Sequence, residues 1–407
     1  MSFNVALSGL NAARSNLSAT GNNIANVNTT GFKGSRAEFA DIFAASSSGI
    51  NLNQVGSGVR LSGMDQQFSQ GAIEFTDNSL DLAINGDGFF TLSDGGQRVY
   101  SRAGAFGLDR DGFIENSSGH RLLAHPPNGQ GGFNAGSLGE IRITNEDNPP
   151  AATTRMTIGA NLPSITEPPP NATFAPDDIN SFSHTTSMTV YDSLGAAQVA
   201  TLYFVKAPVN NEWTVHSYVD GQQVSAPAGD ALVFGDDGQL QQPANQQLAL
   251  PGFNLGNGAQ DQALTLDLSE MTQFANGFST QTLQQDGFTT GRLVGVEISQ
   301  DGVLFARYTN GQAEPLGQIS LTQFSNPQGL QQLGNTAWAE SFESGQPVVG
   351  TANSSSFGQI QAGALESSNV NLSEQLVNMI VAQRNFQANA QMIQTEDQVM
   401  QTVINIR

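Results

Sequence analysis

The chain has no cysteine, and only 13% of its 407 residues are charged. Without thiols it can build neither a disulfide framework nor a thiolate metal site. Lysine and arginine number 15 against 36 acidic residues, a formal net charge of −21. Such a balance repels nucleic-acid phosphates and anionic headgroups, so no nucleic acid is expected as a partner. No apolar run approaches the ~18 residues of a spanning helix, so membrane insertion is not expected either. The start lacks a basic leader, a continuous apolar block and a small-residue cleavage site, which predicts export without a cleaved signal peptide. Histidine is scarce: His120, His125, His184 and His216 are scattered, none at zinc or catalytic spacing. Asp109-Arg110-Asp111-Gly112 opens like a calcium loop, but its glycine arrives two positions early, so it reads as a hairpin turn. Asn85-Gly86-Asp87-Gly88 leads into Phe89-Phe90-Thr91-Leu92, another strand, where a phosphate cradle needs a helix N-terminus. Serines are plentiful without a nucleophile elbow. The expectation is a protein that is not an enzyme and takes no cofactor or metal.

What the chain does have is two ends written differently from its middle. Phe3, Leu10, Leu17 and Ile24 fall seven apart, with Ala6, Ala13, Thr20 and Val27 three residues after each. Leu372, Met379, Phe386, Ile393 and Met400 repeat the spacing near the C-terminus, flanked by Leu376, Ala382, Ala390, Val399, Val403 and Ile404. A period of seven keeps one stripe turned toward a partner helix, which predicts coiled-coil seams between the two ends, between copies, or both. The first helix is expected over about Ser2 to Asn26, and the last from near Asn371, with Glu374 completing a capping box. A single stripe packed on its own β-domain is the plainer alternative. Residues 1–36 hold Arg14, Lys33 and Arg36 with no acid, so the ends carry little charge and suit close packing.

The middle is rich in Gly, Ser, Thr, Asn and Asp, with alternating runs such as Leu202-Tyr203-Phe204-Val205 and Trp213-Thr214-Val215. Those predict β-strands. Asn-Gly or Asp-Gly pairs at 85-86, 87-88, 94-95, 111-112, 128-129, 220-221, 237-238, 257-258, 276-277, 286-287, 301-302 and 310-311 punctuate them as tight turns. Proline at 149-150, 163 and 168-170 marks breaks. The architecture read from this is multidomain: long terminal α-helices forming a coiled-coil domain (1-33 and 364-407), a linker (34-71), an inner all-β domain (72-147 and 286-363), and an outer all-β domain (148-285) inserted in it.

Gly21-Asn22-Asn23-Ile24-Ala25-Asn26-Val27-Asn28-Thr29-Thr30-Gly31-Phe32-Lys33 resembles the signature of the bacterial flagellar rod and hook proteins. Leu365-Glu366-Ser367-Ser368-Asn369-Val370, leading into 377–389, resembles the partner signature of that family. Leu82 to Phe90 with Tyr100 to Phe106 is similar to the shared axial β-domain. Tyr308 to Gln312 with Phe324 to Leu330, and a length beyond that of distal rod proteins, point to the hook branch. The resemblance implies a structural subunit that polymerises with itself into a curved tube, a universal joint passing torque from rod to filament. It further implies rod and hook-filament junction proteins, a hook cap and the flagellar export apparatus as partners, and a hook outside the cell attached to the basal body. The subunit interface would then use Phe3, Leu10, Leu17, Asn22, Asn23, Ile24, Asn26, Gly31 and Phe32 at one end. At the other it would use Leu372, Met379, Gln383, Arg384, Phe386, Ile393 and Met400. A distal-rod-like axial protein, or a secreted β-rich adhesin or enzyme, is the alternative; straight assemblies would favour the former and a monomeric sugar-binding chain the latter.

Overall fold

The heptad text at either end folds as helix: α1 is Ser2–Ala25 and α2 is Leu372–Asn405. The computed structural model describes residues 2–42, 56–254, 256–354 and 356–405. Helix α1 ends one residue before the expected Asn26, so Val27 falls in the following turn rather than on the stripe. Helix α2 starts on a true N-cap, the Asn371 Oδ1 accepting from the amides of Ser373 at 3.0 Å and Glu374 at 3.3 Å. The return bond that would close a capping box from Glu374 is absent among the described residues.

The two helices lie against each other and run antiparallel. A side chain placed on Gly9 would collide with Asn389, and the Asn23 Nδ2 reaches the Gln375 Oε1 at 3.3 Å. The steps from 9 to 23 and from 389 back to 375 are equal, which fixes both direction and register. Small residues make this close approach possible: Ala6, Ala13, Ala19, Thr20 and Ala382 are buried, while Phe3, Leu7 and Leu372 are exposed.

The rest is β, and the chain divides into two compact units. The first comprises Met1–Thr144, Gly295–Arg307 and Ala313–Arg407; the second comprises Asn145–Val294 and Tyr308–Gln312. In the first, a mostly antiparallel ladder places Ala313–Gln323 beside Arg121–His125, then Phe89–Asp94, Gln97–Ser101, Ala337–Ala339 and Gln331–Gly334. One part of its core is aromatic. Phe68 meets Phe89 and Trp338 edge-on, each with ring centroids 5.5 Å apart, and Tyr100 meets Phe324 at 4.8 Å, geometries the ring quadrupoles favour. The expected linker contains an antiparallel hairpin, Ser35–Asp41 with Val59–Gln66, bulged at Glu38/Phe39. Its serine-rich part at 46–49 lies outside the described residues.

In the second unit, one sheet runs in the order His184–Tyr191, Ala197–Lys206, Glu212–Val219, Asp230–Phe234 and Leu240–Gln242. The other sheet takes Gln247–Phe253, Gln262–Asp267, Arg155–Asn161 and Ser279–Gln285. Alternate residues of both sheets, among them Ile158, Leu202, Phe204, Trp213, Val215, Leu264 and Leu266, share one core, as strands with period-two side chains require.

Two histidines are tied to that unit. The His216 ring stacks on Phe174 at 4.0 Å and the His184 ring on Phe278 at 4.6 Å, and His216 Nδ1 and His184 Nε2 have no hydrogen-bond partner. Burial pulls both below the ordinary histidine value. The folded state therefore binds fewer protons than the unfolded chain, and the second unit should lose stability as pH falls below about 6.5. Asp192, Asp267 and Asp286 are themselves held low and add to the loss only in more acidic solution, while burial pushes Asp230 up and acts with the opposite sign there. Thermal melts between about pH 7 and 5 should show the decline, and replacing both histidines by glutamine should flatten it.

Candidate functional site

The two signatures meet in space, and the meeting is built largely from side chains bonded to backbone. Asn23, buried near the end of α1, reads Ser35 through both groups of its amide: its Nδ2 donates to the Ser35 carbonyl at 2.8 Å and its Oδ1 accepts the Ser35 amide at 2.9 Å. From the other terminus Asn369 does the same work. Its Oδ1 accepts the Gly34 amide at 2.8 Å, and its Nδ2 donates to the Gln67 carbonyl at 2.6 Å. Asn22 and Asn26 close the helix end, the Asn26 Nδ2 donating to the Asn22 carbonyl at 3.0 Å and the Asn26 Oδ1 accepting from Thr29 at 3.1 Å. Gly31 then takes φ +66 and its amide donates to the Glu366 carbonyl at 2.7 Å. Any side chain there would strike the backbone at Ala103, so glycine is required twice over.

Beneath this clasp sits a charge cluster sealed from water. The Lys33 Nζ lies 2.6 Å from the Glu366 Oε1, with both side chains 0% exposed. Lys33 also donates to the Ser69 carbonyl at 2.7 Å, and the Gly71 amide donates to the same Glu366 oxygen at 2.9 Å. Arg102 approaches from the sheet, its Nε 3.7 Å from the Glu366 Oε2 and its Nη2 donating to the Gly86 carbonyl at 2.7 Å. One carboxylate therefore serves two buried cations. Desolvation holds Lys33 below its ordinary value, with the Glu366 charge opposing it, and lowers Arg102 for the same reason. The strand Ala364–Glu366 pairs with Ile73–Phe75, and Gln359–Ala362 with Leu82–Asn85, which delivers Glu366 to this point.

The residues singled out on sequence divide into two sets. Asn23, Gly31 and Phe32 are buried by this chain itself. Leu10, Leu17, Ile24, Asn26, Met379, Phe386 and Ile393 are half-buried, and Phe3, Asn22, Leu372, Gln383, Arg384 and Met400 are exposed. A second set of exposed apolar residues on α2, Leu376, Val377, Ile380 and Val381, forms a face mostly missed by the seven-residue stripe. Lys33, Arg102 and Glu366 carried no assignment from sequence; for Lys33 and Glu366 the signal available was charge inside otherwise charge-poor terminal motifs. A polar cleft of about 510 Å³ beside the clasp is lined by Asn22, Asn26, Thr30, Asn116, Asn335 and Trp338, among others.

Family descriptions match along most of the chain: "Flagella basal body rod protein" at 3–33, "Flagellar hook protein FlgE/F/G D1 domain" at 83–161, "Flagellar basal body protein FlaE D2 domain" at 161–288 and "Flagellar basal body rod FlgEFG protein C-terminal" at 361–406. The chain is 40% identical to the flagellar hook protein FlgE of Salmonella typhimurium, covering 100% of both chains. It is 39% identical to that of Escherichia coli over 100% of both, and 35% identical to that of Borreliella burgdorferi over 98% of both. The crystal structure of Helicobacter pylori flagellar hook protein FlgE2 superimposes with a TM-score of 0.55 at 15% identity, covering 72% of this chain and 100% of that one, a likeness of fold.

Proposed function

The chain belongs to the flagellar hook protein family, and from that membership we propose that copies of it polymerise into the curved tube that passes torque from rod to filament. It is a structural subunit of the flagellar hook. The observation that carries self-assembly is the apolar face left uncovered on α2. Leu376, Val377, Ile380 and Val381 are 46–59% exposed on consecutive turns, a row that a soluble monomer has no reason to present. Burying what remains exposed of each is worth about 1 kcal/mol, or roughly 4 kcal/mol for the row. Immobilising a subunit costs about 4–15 kcal/mol, so one such contact does not hold it. Several neighbours must share the work, which a helical stack of identical copies provides.

In this reading α1 and α2 form a coiled-coil domain lining the tube. Phe3, Leu10, Leu17, Ile24, Leu372, Met379, Phe386, Ile393 and Met400 make its seams, with Gln383 and Arg384 at the margin. Residues 148-285 form a β-domain inserted in the inner one and outermost in the assembly. Rod and junction proteins, the cap and the export apparatus are its partners, and the subunit leaves the cell without a cleaved signal peptide. A slightly longer segment, 148–291, suits removal, since its end residues Asn148 and Gly291 exchange both backbone hydrogen bonds, at 2.7 and 3.1 Å. Excising 148–291 with a short Gly-Ser join should leave a chain that polymerises into straighter tubes, read by electron microscopy. Loss of assembly would show that the segment holds the tube together, and unchanged curvature would place the bend elsewhere.

A further inference from the structure

Asn-Gly pairs serve this chain as turns, and ten of the twelve Asn-Gly and Asp-Gly glycines take the positive φ that role requires. Gly277 is one of the two that do not. It follows Asn276 in an exposed bend before the strand Ser279–Gln285, and a Cβ on it would meet nothing within 4 Å. Five asparagines precede glycine, at 85, 128, 257, 276 and 310. In four the reacting groups are held. The Asn128 Oδ1 accepts from the amides of Gln130 and Gly132 at 2.9 and 3.0 Å. The Asn257 Nδ2 donates to Asp192 at 2.6 Å and its Oδ1 accepts the Ala259 amide at 3.0 Å. The Asn310 Nδ2 donates to the Thr289 carbonyl at 2.8 Å and its Oδ1 accepts the Gln312 amide at 3.1 Å. At Asn85 the following amide, Gly86 N, donates to the Gln70 Oε1 at 3.2 Å. Among the described residues, neither the Asn276 side chain nor the Gly277 amide has a hydrogen-bond partner.

We propose that Asn276 is the site where this chain deamidates spontaneously. The Gly277 nitrogen, losing its proton to hydroxide, attacks the Asn276 side-chain carbonyl carbon. The bond to Nδ2 breaks and ammonia leaves with a proton from water, closing a succinimide. Water then opens that ring at either carbonyl, giving aspartate or isoaspartate. The reaction needs the side chain to swing over the next amide, and of the five only Asn276 has both its side chain and the following amide free of hydrogen bonds among the described residues.

The product has a structural consequence. The Asn161 Nδ2 clips this bend by donating to the Asn276 carbonyl at 2.9 Å and the Gly277 carbonyl at 3.3 Å, and Asn161 pairs with Ser279 in the sheet. Isoaspartate routes the main chain through Cβ and Cγ of residue 276, and the carbonyl that Asn161 held becomes a branching carboxylate off the main chain, so one amide no longer spans both. Deamidation therefore loosens the start of a strand in the second unit and adds a negative charge.

The test is peptide mapping by mass spectrometry of the full-length native protein after incubation at mildly alkaline pH, alongside a sample unfolded in urea. In the native protein the Asn276 peptide should convert about tenfold or more faster than the other four, whose hydrogen bonds must break first. In urea the five rates should converge, because all share glycine as the next residue. Comparable rates in the native protein, or a lead by Asn128 or Asn310, would overturn the proposal. Gly277→Ala, tolerated by the open space and ordinary φ, should slow conversion at position 276 and leave the other four rates unchanged; an unaltered rate would rule out attack by that nitrogen.

Discussion

Replacing Glu366 with alanine is expected to destabilise the first unit by about 3–5 kcal/mol, the cost of leaving buried charge without its counter-ion. Two cations, not one, lose their partner: Lys33, whose side chain is 0% exposed, and Arg102, whose side chain is 4% exposed. The Gly71 amide loses its acceptor as well. Lys33→Met should be milder, because Glu366 then keeps Arg102 and the Gly71 amide, and the Ser69 carbonyl alone is abandoned. The asymmetry distinguishes a shared carboxylate from a simple pair, for which both changes would cost alike. Since the chain has two units, a single melting curve would mix their transitions. Trp338 belongs to the first unit and Trp213 to the second, and they are the only tryptophans. Urea titrations followed by fluorescence in a Trp213→Phe background would therefore report on the first unit alone.

The other large effect expected is on assembly. Phe386→Asp sets a carboxylate at a half-buried position of α2, and Leu17→Asp does so at a half-buried position of α1. A carboxylate sealed in a helix interface costs several kcal/mol unless paired. Neither substitution reaches the β ladders, so far-ultraviolet circular dichroism should retain its β signal while sedimentation shows loss of polymer. Because each copy carries the same lesion, a modest penalty per contact is repeated along the whole tube.

Much of this was legible in the residues. The helices follow from sustained apolar spacing, and Asn371 was readable as an N-cap because its side chain competes well for free amides. Most Asn-Gly and Asp-Gly turns were legible for a similar local reason, and Gly277 and Gly287 escaped it because the pair permits positive φ without enforcing it. What could not be read was set by distant partners. Lys33 and Glu366 are 333 positions apart, and each looks like a solvated charge until the strand Ala364–Glu366 brings them together. The helix register was hidden for the same reason. The stripe of large residues suggested the seam, whereas Gly9 is the position pressed against Asn389, and the residues buried along α1 are small ones such as Ala13 and Thr20. The exposed row on α2 falls largely outside the stripe: the seven-residue spacing named Leu376 only as a flank and did not single out Val377, Ile380 or Val381.

Self-assembly through that row is the central claim, and Ile380→Asp tests it most directly. Ile380 is 49% exposed, so the change leaves the chain's own packing largely intact and strikes only a surface meant for a neighbour. Full-length protein and the variant should be compared by electron microscopy at matched concentration under conditions that favour polymerisation. The parent chain should form tubes and the variant dispersed, folded particles. Tubes of equal number and length from both would contradict the assignment of this face to contacts between copies.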